Sequence, residues 1–206
     1  MIILGADSIG KTKVAARAEA RQVRGHLFDT APKDVAEDLA RHLLSLIKPH
    51  EGGEVIAGYW PVGSEIDPRS ALRDLARRGH ETALPVCRAD QGGLLFRKWQ
   101  AGEPLVAGLF GEMVPDESAP EVRPRILLVP LLAYDGEGYR LGQGGGHYDR
   151  AISQLRSSGG VLAVGLAFAG QLVDRVPREN HDQPLDMMVT ETGIHLAGGR
   201  NQSSEQ

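Results

Sequence analysis

RILLVPLLAY, residues 125–134, is the most apolar stretch of the chain and determines what fold the sequence can form. A run this apolar predicts a strand that is buried on both faces, at the centre of a sheet. Pro130 lacks the N–H that a strand interior needs, so we expect it at a strand end, an edge or a bulge. The rest of the chain must supply layers that cover this strand on both sides.

Strand and helix patterns alternate around this stretch. Further strands are predicted over 54–60, 82–87, 94–99 and 161–168, and helices over 11–24, 32–48, 67–78 and 149–156. Such alternation favours an α/β fold of three layers, in which helices cover both faces of a mainly parallel central sheet. We expect one domain over residues 1–196 and a polar tail at 197–206, with 102–124 as a long surface connection near the site.

The composition argues against several classes of partner. Lys and Arg total 23 against 27 Asp and Glu, and the net charge of -4 gives no general attraction to nucleic acid or to an anionic membrane. No apolar run approaches the ~20 residues that a spanning helix needs. Cys87 is the only cysteine, which excludes an internal disulfide. We expect a cytoplasmic, monomeric protein that acts on small molecules, with no nucleic-acid or membrane partner.

A glycine-rich loop, Gly142-Gln-Gly-Gly-Gly146, follows the apolar strand after a polar turn and precedes a predicted helix. Backbone amides that carry no side chain can surround a phosphate at a helix N-terminus. The spacing matches neither a Walker A motif nor a dinucleotide fingerprint. A flexible turn that needs positive φ at several glycines is an equally good interpretation of the loop alone.

Charged residues flank the loop and line one predicted helix. Arg140 could pair with phosphate oxygens and Asp149 could hold a divalent cation, although Asp149 also suits the first turn of a helix. The helix over 11–24 has basic residues on one side, and a solvated charged face explains such a pattern by itself. This basic stripe consists of Lys13, Arg17, Arg21 and Arg24.

Two motifs around the loop resemble the signature of the 5-formyltetrahydrofolate cyclo-ligase family: VPLLAYD at 129–135 and GYRLGQGGGHYDR at 138–150. The resemblance covers about residues 11–191. It includes YWPVGSEID at 59–67, FRKW at 96–99, GLAF at 165–168 and HDQPLD at 181–186. The family's fold is similar to that of phosphosugar isomerases and CoA transferases, and the resemblance implies the same fold here.

For the nucleotide, the resemblance implies contacts from the basic stripe and from the loop. The implied ATP-binding residues are Lys13, Arg17, Arg21, Arg140, Leu141, Gly142, Gln143, Gly144, Gly145, Gly146, His147 and Tyr148. Arg140 and Tyr148 are also implied to be catalytic. Two positions depart from the family pattern: Gln143 stands where a basic or aromatic residue is common, and His147 where tyrosine or phenylalanine is usual.

For the folate, the resemblance implies a second set of contacts. The implied substrate-binding residues are Trp60, Glu65, Gln143, Gly144, Gly145, Gly146 and His147. A carboxylate and an aromatic face suit a flat pterin ring that offers N–H donors. By themselves, Glu65 and Trp60 also fit a surface position and a core edge.

The resemblance further implies that Asp149 and Asp182 hold Mg²⁺, with Asp186 as a candidate to support them. From the sequence alone, aspartates in such a loop are more often turn formers or helix caps. That interpretation stays open for Asp186.

The implied reaction converts 5-formyltetrahydrofolate and MgATP to 5,10-methenyltetrahydrofolate, ADP and phosphate. Transfer of the γ-phosphoryl group to the formyl oxygen would activate the formyl carbon for attack by N10. Two other classes of function stay open. One is a nucleotide-binding or folate-binding regulator without turnover, and the other is a phosphosugar isomerase or CoA-type transferase that shares only the fold.

Overall fold

The computed structural model describes residues 6–49, 53–88 and 93–198, with side chains from Thr12 onward. Its helices are α1 (Ala6–Thr30), α2 (Val35–Leu46), α3 (Arg69–Arg77) and α4 (His147–Ser157), and a short 3-10 helix covers Ala169–Gln171. Its strands are β1 (Val55–Ala57), β2 (Glu81–Cys87), β3 (Leu94–Lys98), β4 (Val106–Ala107), β5 (Met113–Val114), β6 (Ile126–Pro130), β7 (Ala133–Tyr134), β8 (Arg140–Leu141), β9 (Leu162–Leu166), β10 (Met187–Thr190) and β11 (Gly193–Leu196).

Seven of these strands form one sheet, in the order β11-β10-β9-β6-β1-β2-β3. The inner neighbours are parallel, and the antiparallel strands β3 and β11 lie at the two edges. β6 lies at the centre, as its apolar sequence predicts, and Pro130 is its last residue, so the missing N–H falls at a strand end. The predicted mainly parallel sheet is confirmed.

The residues of β6 alternate between two cores. Ile126 and Leu128 pack on one side with leucines of α2 and α3, including Leu39 and Leu72. Leu127, Val129 and the α4 residue Ile152 belong to the cluster on the other side. Successive side chains of a strand point to opposite faces, so a continuous apolar run buries both. The three-layer α/β fold is confirmed.

α1 reaches the core cluster of α2 and α3 at Leu27. It packs through Ala20 on an antiparallel hairpin formed by β7 and β8, where it meets Leu132, Ala133, Leu141 and Val176. The single strand predicted over 125–134 is therefore wrong in its second half, because the chain leaves the sheet after Pro130 and enters this hairpin. The hairpin lies directly before the glycine-rich loop and fixes where that loop begins.

Two other predicted segments differ in detail from the structure. The connection over 102–124 contains a second small hairpin, β4 with β5, whose tip approaches the site as expected. The tail predicted from residue 197 begins just after β11, and its residues from 199 onward lie outside the described part of the chain.

Candidate active site

A cleft of about 600 Å³ opens at the carboxyl ends of the parallel strands. Its floor comes from Tyr59 and Trp60 after β1, Pro85 and Cys87 at the end of β2, and Leu131 after β6. Ligands of open α/β sheets bind at this edge because the loops that leave the strands converge there. Trp60, Glu65, Lys13, Arg17, Asp182 and every residue from Arg140 to Asp149 line the cleft.

The glycine-rich loop forms one wall between β8 and α4. Gly144 has φ +112° and Gly146 has φ +65°, conformations that residues with a side chain rarely adopt. Gly146 is also the N-cap of α4, so the loop delivers the N-terminus of that helix to the cleft. A wall of backbone amides at a helix N-terminus is suited to anions.

Two residues of the basic stripe of α1, Arg17 and Arg21, contact this loop. The Arg17 Nε donates a hydrogen bond to the Gly142 carbonyl oxygen at 3.0 Å, and the Arg21 guanidinium donates to Gln143 Oε1 at 3.1 Å. Arg21 itself stays exposed and does not line the cleft. The interpretation of the stripe as a solvated face holds for the exposed position of Arg21 but is wrong for the buried residues Lys13 and Arg24.

Lys13, at the start of the stripe, reaches a different segment. Its Nζ donates to Asp182 Oδ2 at 2.6 Å and to Glu179 Oε2 at 2.8 Å. Burial lowers the pKa of Lys13, but these two carboxylates outweigh that effect and the net pKa is raised. The ammonium therefore stays charged at the edge of the cleft.

Arg140 and Asp149 form an ion pair across the loop. The Arg140 side chain is only 4% exposed, and it donates to Asp149 Oδ1 at 2.8 Å and to the Gln183 carbonyl oxygen at 2.7 Å. Burial lowers the pKa of Arg140 and Asp149 opposes that shift, while a guanidinium keeps its charge in either case. The Gln183 N–H also donates to Asp149 Oδ1, which anchors the late loop to α4.

A group of possible metal ligands lies in the late loop. Ligand atoms of Glu179, His181 and Asp182 lie within 4.8 Å of one another, and all three residues line the cleft. Asp149 lines the same cleft but does not belong to this group. The family resemblance implied Asp182 as a ligand but not Glu179 or His181, although His181 stands in the HDQPLD motif.

Asp186 lies elsewhere. Its carboxylate accepts hydrogen bonds from Arg156 at 3.1 Å and from the Ala163 N–H at 2.7 Å, so it joins the end of α4 to β9. It does not line the cleft. The side chain of Asp186 thus contacts Arg156 and Ala163 instead of the proposed metal ligands, and its role is neither of the two that the sequence suggested.

Aromatic rings and one glutamate line another part of the cleft, its aromatic half. Trp60 meets Trp99 edge to face with ring centroids 6.0 Å apart, and the Arg69 guanidinium lies 4.8 Å from the Trp60 ring centroid. Glu65 Oε2 accepts a hydrogen bond from the Val62 N–H at 3.0 Å. These contacts hold one aromatic face and one carboxylate at the cleft.

Two tyrosines beside Glu65 remain protonated. Burial raises the pKa of Tyr148 well above its usual value, and the nearby Glu65 carboxylate adds to the effect. Burial raises the pKa of Tyr59 as well, and its hydroxyl donates to the Ile66 carbonyl oxygen at 2.7 Å. Tyr148 is thus a hydroxyl donor throughout the neutral range.

Further lining residues were not predicted from the sequence. Phe110, at the tip of the β4–β5 hairpin, is 63% exposed, and its ring centroid lies 5.6 Å from that of His147. Glu112 follows it in the cleft wall. Both residues lie in an irregular segment whose path no periodicity predicts. None of the helices in the described ranges combines the length and apolarity that crossing a membrane requires.

Comparisons with known proteins agree with this architecture. The model of the 5-formyltetrahydrofolate cyclo-ligase family matches residues 9–191. The chain is 31% identical over 179 residues to a 5-formyltetrahydrofolate cyclo-ligase of Haemophilus influenzae, an alignment that covers 84% of this chain and 95% of the relative. It is 35% identical over 147 residues to one of Mycolicibacterium smegmatis, which covers 67% and 74%.

Solved structures show the same fold. The NMR structure of 5,10-methenyltetrahydrofolate synthetase from Aquifex aeolicus superposes with a TM-score of 0.71 at 27% identity, covering 92% of this chain and 96% of that one. A 5,10-methenyltetrahydrofolate synthetase from Mycoplasma pneumoniae gives a TM-score of 0.67 at 20% identity, covering 87% and 98%, and supports the fold alone. The chain belongs to the 5-formyltetrahydrofolate cyclo-ligase family.

Proposed function

We propose that the cleft catalyses the ATP-dependent cyclisation of 5-formyltetrahydrofolate to 5,10-methenyltetrahydrofolate, with release of ADP and phosphate. One observation supports this most strongly: a single cleft joins a cationic, glycine-walled half to an aromatic half that contains the carboxylate of Glu65. The first half suits a triphosphate and the second suits a pterin. Their common cavity would bring the γ-phosphorus and the formyl group together.

The triphosphate would lie against the glycine-rich loop. Lys13, Arg17 and Arg21 on α1 would face it from one side, and the loop from Arg140 to Tyr148 from the other. Backbone amides and cations bind phosphate oxygens without a dedicated motif. Gly144 and Gly146 support this, because their positive φ favours glycine, and glycine presents its backbone amide without a side chain.

The folate would occupy the aromatic half of the cleft, which is therefore called the folate half. Trp60 offers an aromatic face for the flat pterin, and Glu65 offers carboxylate oxygens for its N–H donors. The loop residues Gln143 to His147 line the same cleft as Trp60 and Glu65 and would contact both ligands.

Carboxylates of the late loop and of α4 line the cleft and fit a magnesium ion. Asp149 and Asp182 would hold it, and Glu179 adds a third carboxylate beside Asp182. Carboxylates are the ligands that Mg²⁺ prefers, and it usually completes its coordination with water and phosphate oxygens. When bound, the ion would neutralise negative charge on the phosphates.

The chemistry requires activation of a poor electrophile. The formyl group on N5 is an amide, so its oxygen is a poor leaving group. Transfer of the γ-phosphoryl group to that oxygen, with release of ADP, would make it a phosphate ester on an iminium-like carbon. N10 would then attack this carbon, lose its proton, and expel phosphate as the C–O bond breaks.

In this scheme the protein positions the reactants and balances charge. Arg140 and Lys13 would stabilise negative charge on the transferred group, and Tyr148, kept protonated by its surroundings, would donate a hydrogen bond. No side chain needs to act as a nucleophile.

We further propose that the protein acts in the cytoplasm as a monomer, without a nucleic-acid partner.

An absorbance assay tests the proposal. The protein is incubated with 5-formyltetrahydrofolate and MgATP, and the near-ultraviolet absorbance of the methenyl product is followed. We expect a rise that depends on ATP and is absent with a non-hydrolysable ATP analogue. If both ligands bind but no product forms, the alternative of a non-catalytic regulator replaces the proposal.

A further inference from the structure

Arg24, the last residue of the basic stripe, contacts the folate half of the cleft instead of the glycine-rich loop. Its side chain is 7% exposed. The Nε donates to Ser64 Oγ at 3.1 Å, and one terminal nitrogen donates to Glu65 Oε1 at 3.5 Å and to the Leu131 carbonyl oxygen at 3.3 Å. One guanidinium thus joins α1 to the loop after β1 and to the residue after β6.

The cations of α1 contact residues of both halves of the site. Lys13 and Arg24 lie on the same face of α1 and are about 16 Å apart along its axis, at 1.5 Å per residue. Lys13 reaches Asp182, Arg17 and Arg21 reach the loop, and Arg24 reaches Glu65. α1 therefore contacts both halves of the site, and the role of Arg24 differs from that of the other three residues.

The Glu65 carboxylate is held at both oxygens. The Val62 N–H holds Oε2 and Arg24 faces Oε1, and the side chain is 11% exposed. Burial raises the pKa of Glu65, and the Val62 N–H and Arg24 limit this rise without cancelling it, so the net pKa is raised. The other ionisable neighbours are the hydroxyls of Tyr59 and Tyr148, and Arg21 repels Arg24 along the helix.

A buried ion pair of this kind is weak evidence for a role in stability, because apolar residues of similar volume pack at least as well. Its effect on Glu65 is more specific. A carboxylate can accept hydrogen bonds from two N–H donors, whereas a protonated carboxyl group loses one of those acceptors. A glutamate that receives pterin N–H groups therefore needs a partner that keeps it ionised and fixed in direction.

We propose that Arg24 is a positioning residue for the folate half of the cleft and acts through Glu65. It holds the carboxylate of Glu65 ionised and aimed at the bound ring, and it does not contact the nucleotide. This inference rests on the proposed function, since it is the cyclisation substrate that Glu65 would receive.

The test compares Arg24→Gln, Arg24→Lys and Glu65→Gln with wild type in the absorbance assay. In Arg24→Gln, KM for 5-formyltetrahydrofolate rises about tenfold or more, as expected for the loss of a charged hydrogen-bond partner, and KM for ATP changes less than about twofold. We expect the acidic limb of the pH profile of kcat/KM for the folate to move to higher pH, because Glu65 without its cation takes up a proton more readily. Arg24→Lys restores the position of that limb but only part of the KM, since one ammonium cannot replace the guanidinium fork.

Glu65→Gln should abolish the acidic limb of the pH profile. In the double variant, Arg24→Gln should add little to the effect of Glu65→Gln on the folate KM, because the two residues act as one unit. The control is Arg123→Gln, which removes an arginine that donates to the Leu155 carbonyl oxygen outside the cleft. We expect Arg123→Gln to leave the KM values for folate and ATP and the pH profile unchanged.

The outcomes separate this inference from the proposed function. A wild-type protein that forms no methenyl product overturns both. A wild-type protein that turns over, beside an Arg24→Gln variant with an unchanged folate KM and acidic limb, overturns the role of Arg24 alone. If Arg24→Gln does not fold, Arg24→Lys decides: a higher folate KM at unchanged ATP KM supports the role, and unchanged values for both contradict it.

Discussion

Lys13 and Asp182 are separated by 169 positions in the sequence, yet the Lys13 Nζ donates to Asp182 Oδ2 at 2.6 Å. This ion pair connects α1 to the late loop at the edge of the cleft. It places an ammonium and two carboxylates where the proposed triphosphate and magnesium ion would meet. Lys13 is buried and donates to both Asp182 and Glu179, so removal of its charge would take away the ammonium that these two carboxylates share.

Replacement of Lys13 by methionine is expected to weaken ATP binding. The loss of one charge-assisted contact to a phosphate raises KM for ATP about tenfold or more. KM for the folate should change little, because Lys13 lies at the opposite end of α1 from Arg24, the residue that contacts Glu65. Steady-state kinetics with each substrate varied in turn measure both values. Arg41→Met, on the exposed side of α2, is the control, and equal ATP KM values in Lys13→Met and wild type would show that Lys13 has no such role.

Gly144 and Gly102 allow a matched test of the phosphate-binding loop. Gly144 has φ +112° and Gly102 has φ +102°, so alanine strains the backbone at either position by about 1–3 kcal/mol. An added Cβ at Gly144 would lie 3.4 Å from Arg17 Cζ, whereas at Gly102 it would meet nothing within 4 Å. Both variants should lose similar stability in denaturant unfolding. Only Gly144→Ala should bind ATP more weakly, and equal ATP affinity in the two variants is the opposing result.

Asp149→Asn separates the structural role of this aspartate from its proposed metal role. The change removes the anionic partner of the buried Arg140 and should lower the free energy of unfolding by about 1.5–3 kcal/mol. It should also raise the Mg²⁺ concentration needed for half-maximal activity. Asp186→Asn is the control, because Asp186 also accepts from an arginine and a backbone N–H but lies outside the cleft. If Asp149→Asn keeps the wild-type magnesium requirement, Asp149 is not a metal ligand.

Trp60→Leu tests the aromatic half of the cleft. Loss of the flat ring should raise KM for 5-formyltetrahydrofolate about threefold to tenfold, the range expected for one aromatic stacking contact. KM for ATP should stay unchanged. Leu105→Ala is the control, since Leu105 packs on the same core without lining the cleft. A folate KM that does not change in Trp60→Leu would place the pterin elsewhere.

The layers of the fold could be predicted because they depend on local patterns. The alternating burial of Ile126, Leu127, Leu128 and Val129 follows from a continuous apolar run, and the stripe of α2 follows from helical spacing. Both signals extend over many residues. The hairpin of β7 and β8 was not predicted, because strands of two residues are too short to show a period.

The site was only partly predictable, because a sequence pattern shows which residues are neighbours in the chain but not which distant segments meet in the fold. The glycine-rich loop and its flanking Arg140 and Asp149 stand together in the sequence, so their proximity is local. The pairing of Lys13 with Glu179 depends on how α1 packs on the hairpin, and no local pattern encodes a contact across 166 positions. Arg24 was visible as part of the basic stripe, but its contact with Glu65 follows from tertiary packing.

The central claim is that the formyl oxygen is phosphorylated in this cleft and leaves as phosphate. The most direct measurement uses 5-formyltetrahydrofolate labelled with oxygen-18 in the formyl group, with MgATP in unlabelled water. The released phosphate is then analysed by mass spectrometry. We expect one labelled oxygen in each phosphate formed together with the methenyl product. Methenyl product accompanied by unlabelled phosphate would contradict the proposed mechanism.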